Sequence, residues 1–318
     1  GAATFDQGDI VTFLRAGRLP PSPSARDPQR LASAALAYPF RLAPGESASV
    51  QVMVPPRETP APLAPTVREG AVLAERDAAL DRWIGLRRGA TVGGGDELMR
   101  SIWPELGYIL ASRRGPALQL GTRAYDRTWI RDGALMSEAL LRLGHGEVVR
   151  DFIEWFAPYQ YEDGKVPCCV DQRGSDPVPE HDSHGELIYL IAEYYRYAGD
   201  RALVGRMWPH VIAAAGYIDS LRHQRLGGEW EAAERAPFRG LLPPSISHEG
   251  YSAKPMHSYW DDLFALRGLK DASFIAGVLG LDAERARLAA IRDEFARDLT
   301  ASVQATLATH RIDFMPGC

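Results

Sequence analysis

The sequence predicts a mainly α-helical protein preceded by a short β-rich segment. From residue 68 onward, apolar residues recur with helical spacing in one stretch after another. Before residue 57, short β-branched or alternating runs are broken by Pro and Gly turn signals. The proline-rich run PPRETPAPLAPTV (55–67) separates the two patterns. The expected organisation is therefore a β-rich segment over 1–56, a linker over 57–67 and a helical region over 68–318.

The stretch DIVTFLRAG (9–17) reads as a short strand, and ALAYPFRLAPGESASVQVMVPP (35–56) as two extended runs joined by Ala-Pro-Gly-Glu. Three such strands cannot bury both faces of a sheet alone, so they belong with a larger β-sandwich-like body. Helices are expected over 68–88, 99–114, 127–144, 147–159, 183–199, 201–222 and 283–310, with one or two more in 258–280. Pro104 is expected to start the main helix of its stretch. Helices in successive pairs build a helix-on-helix layer. Two long insertions, 160–182 and 223–257, carry Gly, Pro, aromatic and acidic residues in place of periodicity, which marks them as site loops.

Composition narrows the partners. The 318 residues carry 41 acidic against 36 basic side chains, a net charge of -5, and no basic block, so nucleic acid is not expected. No run approaches the roughly 18 apolar residues of a membrane span. GAATFDQGD lacks the charged flank and apolar stretch of a signal peptide, but a removed signal would leave the same start, and the compartment stays open. Among the three cysteines, Cys168 and Cys169 are adjacent, which is poor geometry for an ordinary disulfide. His181 and His184 have no HExxH or CxxC beside them. No metal, no cofactor and no Cys168–Cys169 bridge are expected.

The chemistry gathers in three places. Trp129, Arg131 and Asp132 stand at the mouth of the 127–144 helix, where a first-turn carboxylate is favoured by the unpaired N–H groups. The first insertion supplies Asp163 and Lys165, then Asp182, His184 and Glu186, with Ser183 and Glu186 spelling a capping box. The second supplies Trp230, Glu231, Glu234, His248, Glu249, Tyr251, Lys254, His257, Tyr259, Trp260, Asp261 and Asp262. Aromatic faces with carboxylates and cations suit a sugar: rings stack on pyranose C–H faces while the charges bind hydroxyls. Glycoside cleavage then needs one protonated carboxyl and one carboxylate. Glu249, between His248 and a Gly-Tyr pair, is the expected general acid, with Glu231 beside Trp230 as runner-up. Asp261 and Asp262 are expected at a helix start, where the dipole lowers a carboxyl pKa.

The phrases TRAYDRTWIRDGA, YQYEDGKVP, HDSHGELIYLIAEYYRYAGDRAL and HEGYSAKPMHSYWDDLFALRGLKDA resemble the six-hairpin glycosidases, the glucoamylase-like (α/α)6 toroids. The resemblance covers about residues 68 to 318. It implies an inverting glycoside hydrolase acting on an oligo- or polysaccharide, with Arg131 and Asp132 on the innermost sugar and the acid role falling nearest Glu249. HEGYS is not the WEE phrase of the starch-cleaving members, so an α-1,4-glucan is not implied. Six hairpins need twelve helices and about eight are readable, so a further segment is expected to complete the toroid and supply the general base. A phosphorylase or polysaccharide lyase on the same toroid, or a non-catalytic carbohydrate-binding protein, are the competing readings.

Overall fold

The computed structural model describes residues 1–28, 31–50, 52, 69–86, 96–121, 125–247 and 253–317, with side chains beginning at 73 and 101 in the helices that open at 69 and 96. The chain divides into two compact units, Gly1–Ala79 and Leu80–Cys318. It is mainly helical, with small sheets.

In the first unit, β1 (Ala2–Ala3) pairs antiparallel with β2 (Ser33–Ala34). The strand expected over 9–17 is instead helix α1 (Ile10–Arg15). The reason is Asp9: its carboxylate accepts from the Thr12 N–H at 2.9 Å, capping the first turn where β-branched content alone suggests extension. Of the extended runs expected over 35–56, the described residues form no strand. Ala43 to Glu46 is a turn closed by the Glu46 N–H donating to the Ala43 carbonyl at 3.0 Å. The linker lies outside the described residues. Helix α2 (Glu69–Leu86) crosses the division between the units.

The second unit holds α3 (Asp96–Ala111), which begins well before Pro104 and carries it in its interior, contrary to the expected start there. Three helical hairpins follow in chain order. They are α4 (Ile130–Arg142) with α5 (Gly146–Phe156), α6 (Asp182–Ala198) with α7 (Arg201–His223), and α8 (Tyr259–Leu279) with α9 (Asp282–His310). The 258–280 stretch is thus one helix. Within each hairpin the turn is short; α6 and α8 stop at Gly199 and Gly280, both left-handed. Between hairpins the chain returns by long loops. The first of these contains β4 (Cys169–Asp171) and β5 (Gly174–Ser175), and β4 pairs antiparallel with β3 (Thr128–Trp129) just ahead of α4.

Contacts sort these helices into two layers. Helix α6 packs between α4 and α8, while α5 lies against α4 and α6, α7 against α6 and α8, and α9 against α8. The core between the layers is continuous through Phe152, Phe156, Ile188, Ile191, Ile275 and Phe295. Helix α6 is buried nearly all round from Asp182 to Ala192, as expected for a central helix. Since α4, α6 and α8 are each the first helix of a hairpin, their N-termini all follow long loops. Arg222, also fully buried, ties the second layer to its return loop by donating to the Gly240 carbonyl at 3.1 Å and pairing with Asp298 at 3.0 Å.

The α6–α8 packing rests on two glycines. A Cβ on Gly185 would lie 2.0 Å from the Phe264 carbonyl oxygen, and one on Gly268 would lie 2.6 Å from the Gly185 Cα. Backbone meets backbone here, so nothing flexible can yield. Gly185→Ala is expected to lower stability by about 1–3 kcal/mol or more. Gly205→Ala, on the exposed side of α7 with only an ordinary contact to Leu279, should raise it by about 0.5–1 kcal/mol. Thermal or urea melts of the two variants check the contrast.

Candidate functional site

The N-termini of α4, α6 and α8 open on one cleft of about 450 Å³, lined by Arg131, Asp132, Glu180, Asp182, Trp260 and Asp261, with Leu135, Ile246, Ser247, Ser258 and Gly317 completing the wall. Arg131, Asp132, Asp182 and Asp261 come from the first turns of α4, α6 and α8, and Glu180 comes from the loop just before α6. The pattern has a local cause. A first turn has N–H groups with no helical partner, and acidic side chains are stabilised beside them.

Arg131 organises the cleft. Its guanidinium pairs with Asp182 at 2.8 Å and Glu180 at 3.4 Å. Burial opposes that charge, but Asp182, Glu186 and Glu180 outweigh it and hold the Arg131 pKa above its ordinary value. The same Asp182 oxygen accepts from the Trp260 indole N–H at 2.9 Å. One carboxylate thus links the starts of all three helices. The Trp260 ring, 46% exposed, remains open to a ligand.

Asp261 sits beside this pair. Burial and then the charge of Asp182 push its carboxyl up to about 7. Burial likewise pushes Asp262 up to about 8, although the Leu242 N–H donates to it at 2.9 Å. The expectation that a helix start lowers these two pKa values is corrected: the dipole acts, but both carboxyls are buried, and desolvation is the larger effect. Glu186, one turn along α6 from Asp182, is fully buried, and neither of its oxygens has a hydrogen-bond partner among the described residues. Burial and Asp182 raise its pKa strongly. The Ser183–Glu186 capping box does not form. The helix already includes Ser183, with His181 at the N-cap position, so Ser183 is not placed to cap it.

The remaining expected site residues lie elsewhere. Trp129 caps α4 but is buried against Cys168 and Cys169, not in the cleft. Asp163 closes a turn by accepting from the Lys165 N–H at 3.0 Å, and the Lys165 ammonium donates to the Pro177 carbonyl. His184 is buried, its Nδ1 accepting from the Val166 N–H at 3.1 Å and its ring edge-on to Tyr217. Burial holds His184 neutral and lowers His181 to about 4. His257 lines a separate cavity of about 190 Å³ with Phe238, Leu241, Tyr259 and Asp262. Lys254 is exposed, as is Glu231, which lies on a 3-10 turn and is not part of the cleft wall. His248, Glu249 and Tyr251 lie outside the described residues.

Sequence reasoning missed Glu180 and Ser247 as cleft residues. Their signal was weak, since each is a lone polar residue in a long loop with no periodicity. It also missed that Cys168, Cys169 and Asp176 meet: their ligand atoms all lie within 4.8 Å of one another.

No family model matches the chain, and no curated protein matches it in sequence.

The buried acids set a pH dependence. Unfolded, Asp262 titrates near 3.8; folded, near 8. The folded chain therefore holds an extra proton across that window, and stability falls as pH rises through it. Asn in its place keeps an oxygen for the Leu242 N–H and cannot ionise. Asp262→Asn is expected to melt about 3–6 °C above the wild type near pH 8 and to lose that advantage near pH 4. Calorimetric melts over this range check it.

Proposed function

We propose that this chain carries the active-site cleft of a glycoside hydrolase of the six-hairpin type, cleaving an oligo- or polysaccharide by general acid catalysis, most simply with inversion. The observation that carries the reading is the convergence of Arg131, Asp132, Asp182, Trp260 and Asp261 at the N-termini of three adjacent helices, around a cleft of about 450 Å³. Three successive hairpins in two layers are what an arc of an (α/α)6 toroid requires, and they support that architecture.

In this reading the Trp260 face stacks on a pyranose ring, while Asp132 and the Arg131 fork bind its hydroxyls. The proton donor is assigned to Asp261. A general acid must be protonated near the working pH yet reach the ligand, and Asp261 combines a pKa near 7 with a place in the cleft wall. Glu186 shares the raised pKa but is sealed in the core and acts only on its neighbours. Glu249, on which the acid role falls nearest by the resemblance, is the competing donor. Inversion places a second carboxylate about 6.5–9.5 Å from the donor, with the attacking water between.

The test is turnover of a glycan panel with the products followed by NMR. Reducing sugar of inverted anomeric configuration is expected. An unsaturated product would mean a lyase, a sugar phosphate formed only with added phosphate would mean a phosphorylase, and binding without turnover a carbohydrate-binding protein. Asp261→Asn should lose about 10²–10⁴-fold in rate on a substrate with a poor leaving group, and far less on one with an activated leaving group. The same selective loss in Glu249→Gln, with Asp261→Asn unaffected, would move the donor role to Glu249. Equal small losses in both variants would remove the general-acid assignment altogether.

A further inference from the structure

The buried thiol pair lies outside the cleft and takes no part in the chemistry above. Cys168 and Cys169 are free and almost wholly buried, 1% and 0% exposed. Their sulfurs are 3.7 Å apart. That is far from the roughly 2.05 Å of a disulfide. It matches the separation of two thiolates on one tetrahedral zinc, about 3.8 Å for Zn–S bonds of about 2.3 Å. A third ligand stands beside them: an Asp176 oxygen is 3.9 Å from the Cys169 sulfur, and all three ligand atoms fall within 4.8 Å of one another.

We propose that Cys168, Cys169 and Asp176 form a binding site for a zinc-class divalent cation. No metal is expected from the spacing of the sequence, where no HExxH or CxxC accompanies His181 and His184. The fold supplies what the spacing did not, because β4 and β5 form a hairpin that returns Asp176 to the two sulfurs. The donor set is two thiolates and a carboxylate, which suits a borderline-soft ion in a tetrahedral site with one open position and does not suit magnesium or calcium.

The surroundings fit the charge. A dication with two thiolates and one carboxylate has a net charge of minus one, and Arg127 offsets it. Its guanidinium is 2.5 Å from Asp176 and 3.0 Å from Asp171. The other Asp176 oxygen accepts from the Val178 N–H at 3.1 Å, so the carboxylate is held in place before any metal arrives. Binding exchanges protons for metal. Each thiol releases its proton to solvent, two sulfur–metal bonds form, and no electron moves.

The site also has a structural use. The Cys168 carbonyl accepts from the Ile130 N–H at 3.0 Å, and Trp129 packs on both cysteines. A cation there would brace the strand that leads into α4 and so the turn bearing Arg131 and Asp132.

The experiment titrates the reduced, metal-stripped full chain with Co²⁺ and then with Zn²⁺ under anaerobic conditions. One equivalent of Co²⁺ should raise a thiolate-to-metal charge-transfer band in the near ultraviolet, Zn²⁺ should displace it, and two protons should be released per metal. Cys168→Ser and Cys169→Ser should each abolish the band, while Cys318→Ser keeps it. Arg127→Gln should weaken binding by about 10–100-fold, as loss of a residue orienting a metal ligand does. Circular dichroism reports whether each variant folds, and Asp176→Asn replaces a serine variant that does not; it should weaken binding as well. No charge-transfer band in the wild type, a band that survives either serine substitution, or unchanged affinity in Asp176→Asn would overturn the proposal.

Discussion

The ion pair between Arg131 and Asp182 is the contact on which the rest of the site depends. It joins the first turns of α4 and α6 at 2.8 Å, and Asp182 extends it to α8 through the Trp260 indole. Asp182 is almost wholly buried, 1% exposed. Taking such a pair out of water costs several kcal/mol per ion, and a well-packed apolar pair would stabilise the fold at least as well. Stability alone therefore gives little reason to keep it. Its effect is to hold a charged group and an aromatic face at fixed positions on one wall, which is what a binding site needs from its supporting shell.

The pair also shapes the acidity around it. Asp261 and Glu186 both face the Asp182 charge in surroundings that disfavour a second anion. One positive charge, Arg131, serves Asp182 and Glu180 directly, and the protein meets the remaining repulsion by keeping neighbouring carboxyls protonated. Neighbouring carboxyls driven apart in pKa are a recurring way to run acid catalysis near neutrality. Glu186 contributes without touching the cleft. Sealed in α6 with no hydrogen-bond partner among the described residues, it is a buried acid whose ionisation would disturb Asp261.

Much of this was legible in the chain, and the exceptions have physical causes. Helices α4 to α9 could be read within a few residues because burying one face leaves a periodic apolar record. Trp129, Arg131 and Asp132 stood out at a helix mouth, and Arg131 and Asp132 do reach the cleft. Trp129 instead packs on the cysteines, a partnership 39 to 40 positions away that local reading cannot see. The strand expected over 9–17 failed because one capping carboxylate outweighed β-propensity in a short segment. Asp261 was read by its helix position, whereas its acidity is set by burial and by Asp182, 79 positions earlier in the chain. Periodicity reports which face is buried, but not which distant group is buried beside it.

Beside the Arg131–Asp182 pair, the cleft holds a carboxyl, Asp261, pushed up to about 7 by burial and by Asp182. A carbon-13 NMR titration of the side-chain carboxyls in protein labelled at Asp and Glu measures it most directly. A resonance titrating near 7 is expected, which disappears in Asp261→Asn and moves to lower pH when Asp182 is replaced by Asn. If Asp261 instead titrates with the ordinary carboxyls, near 3.8, the cleft holds no such acid and Asp261 cannot serve as its proton donor.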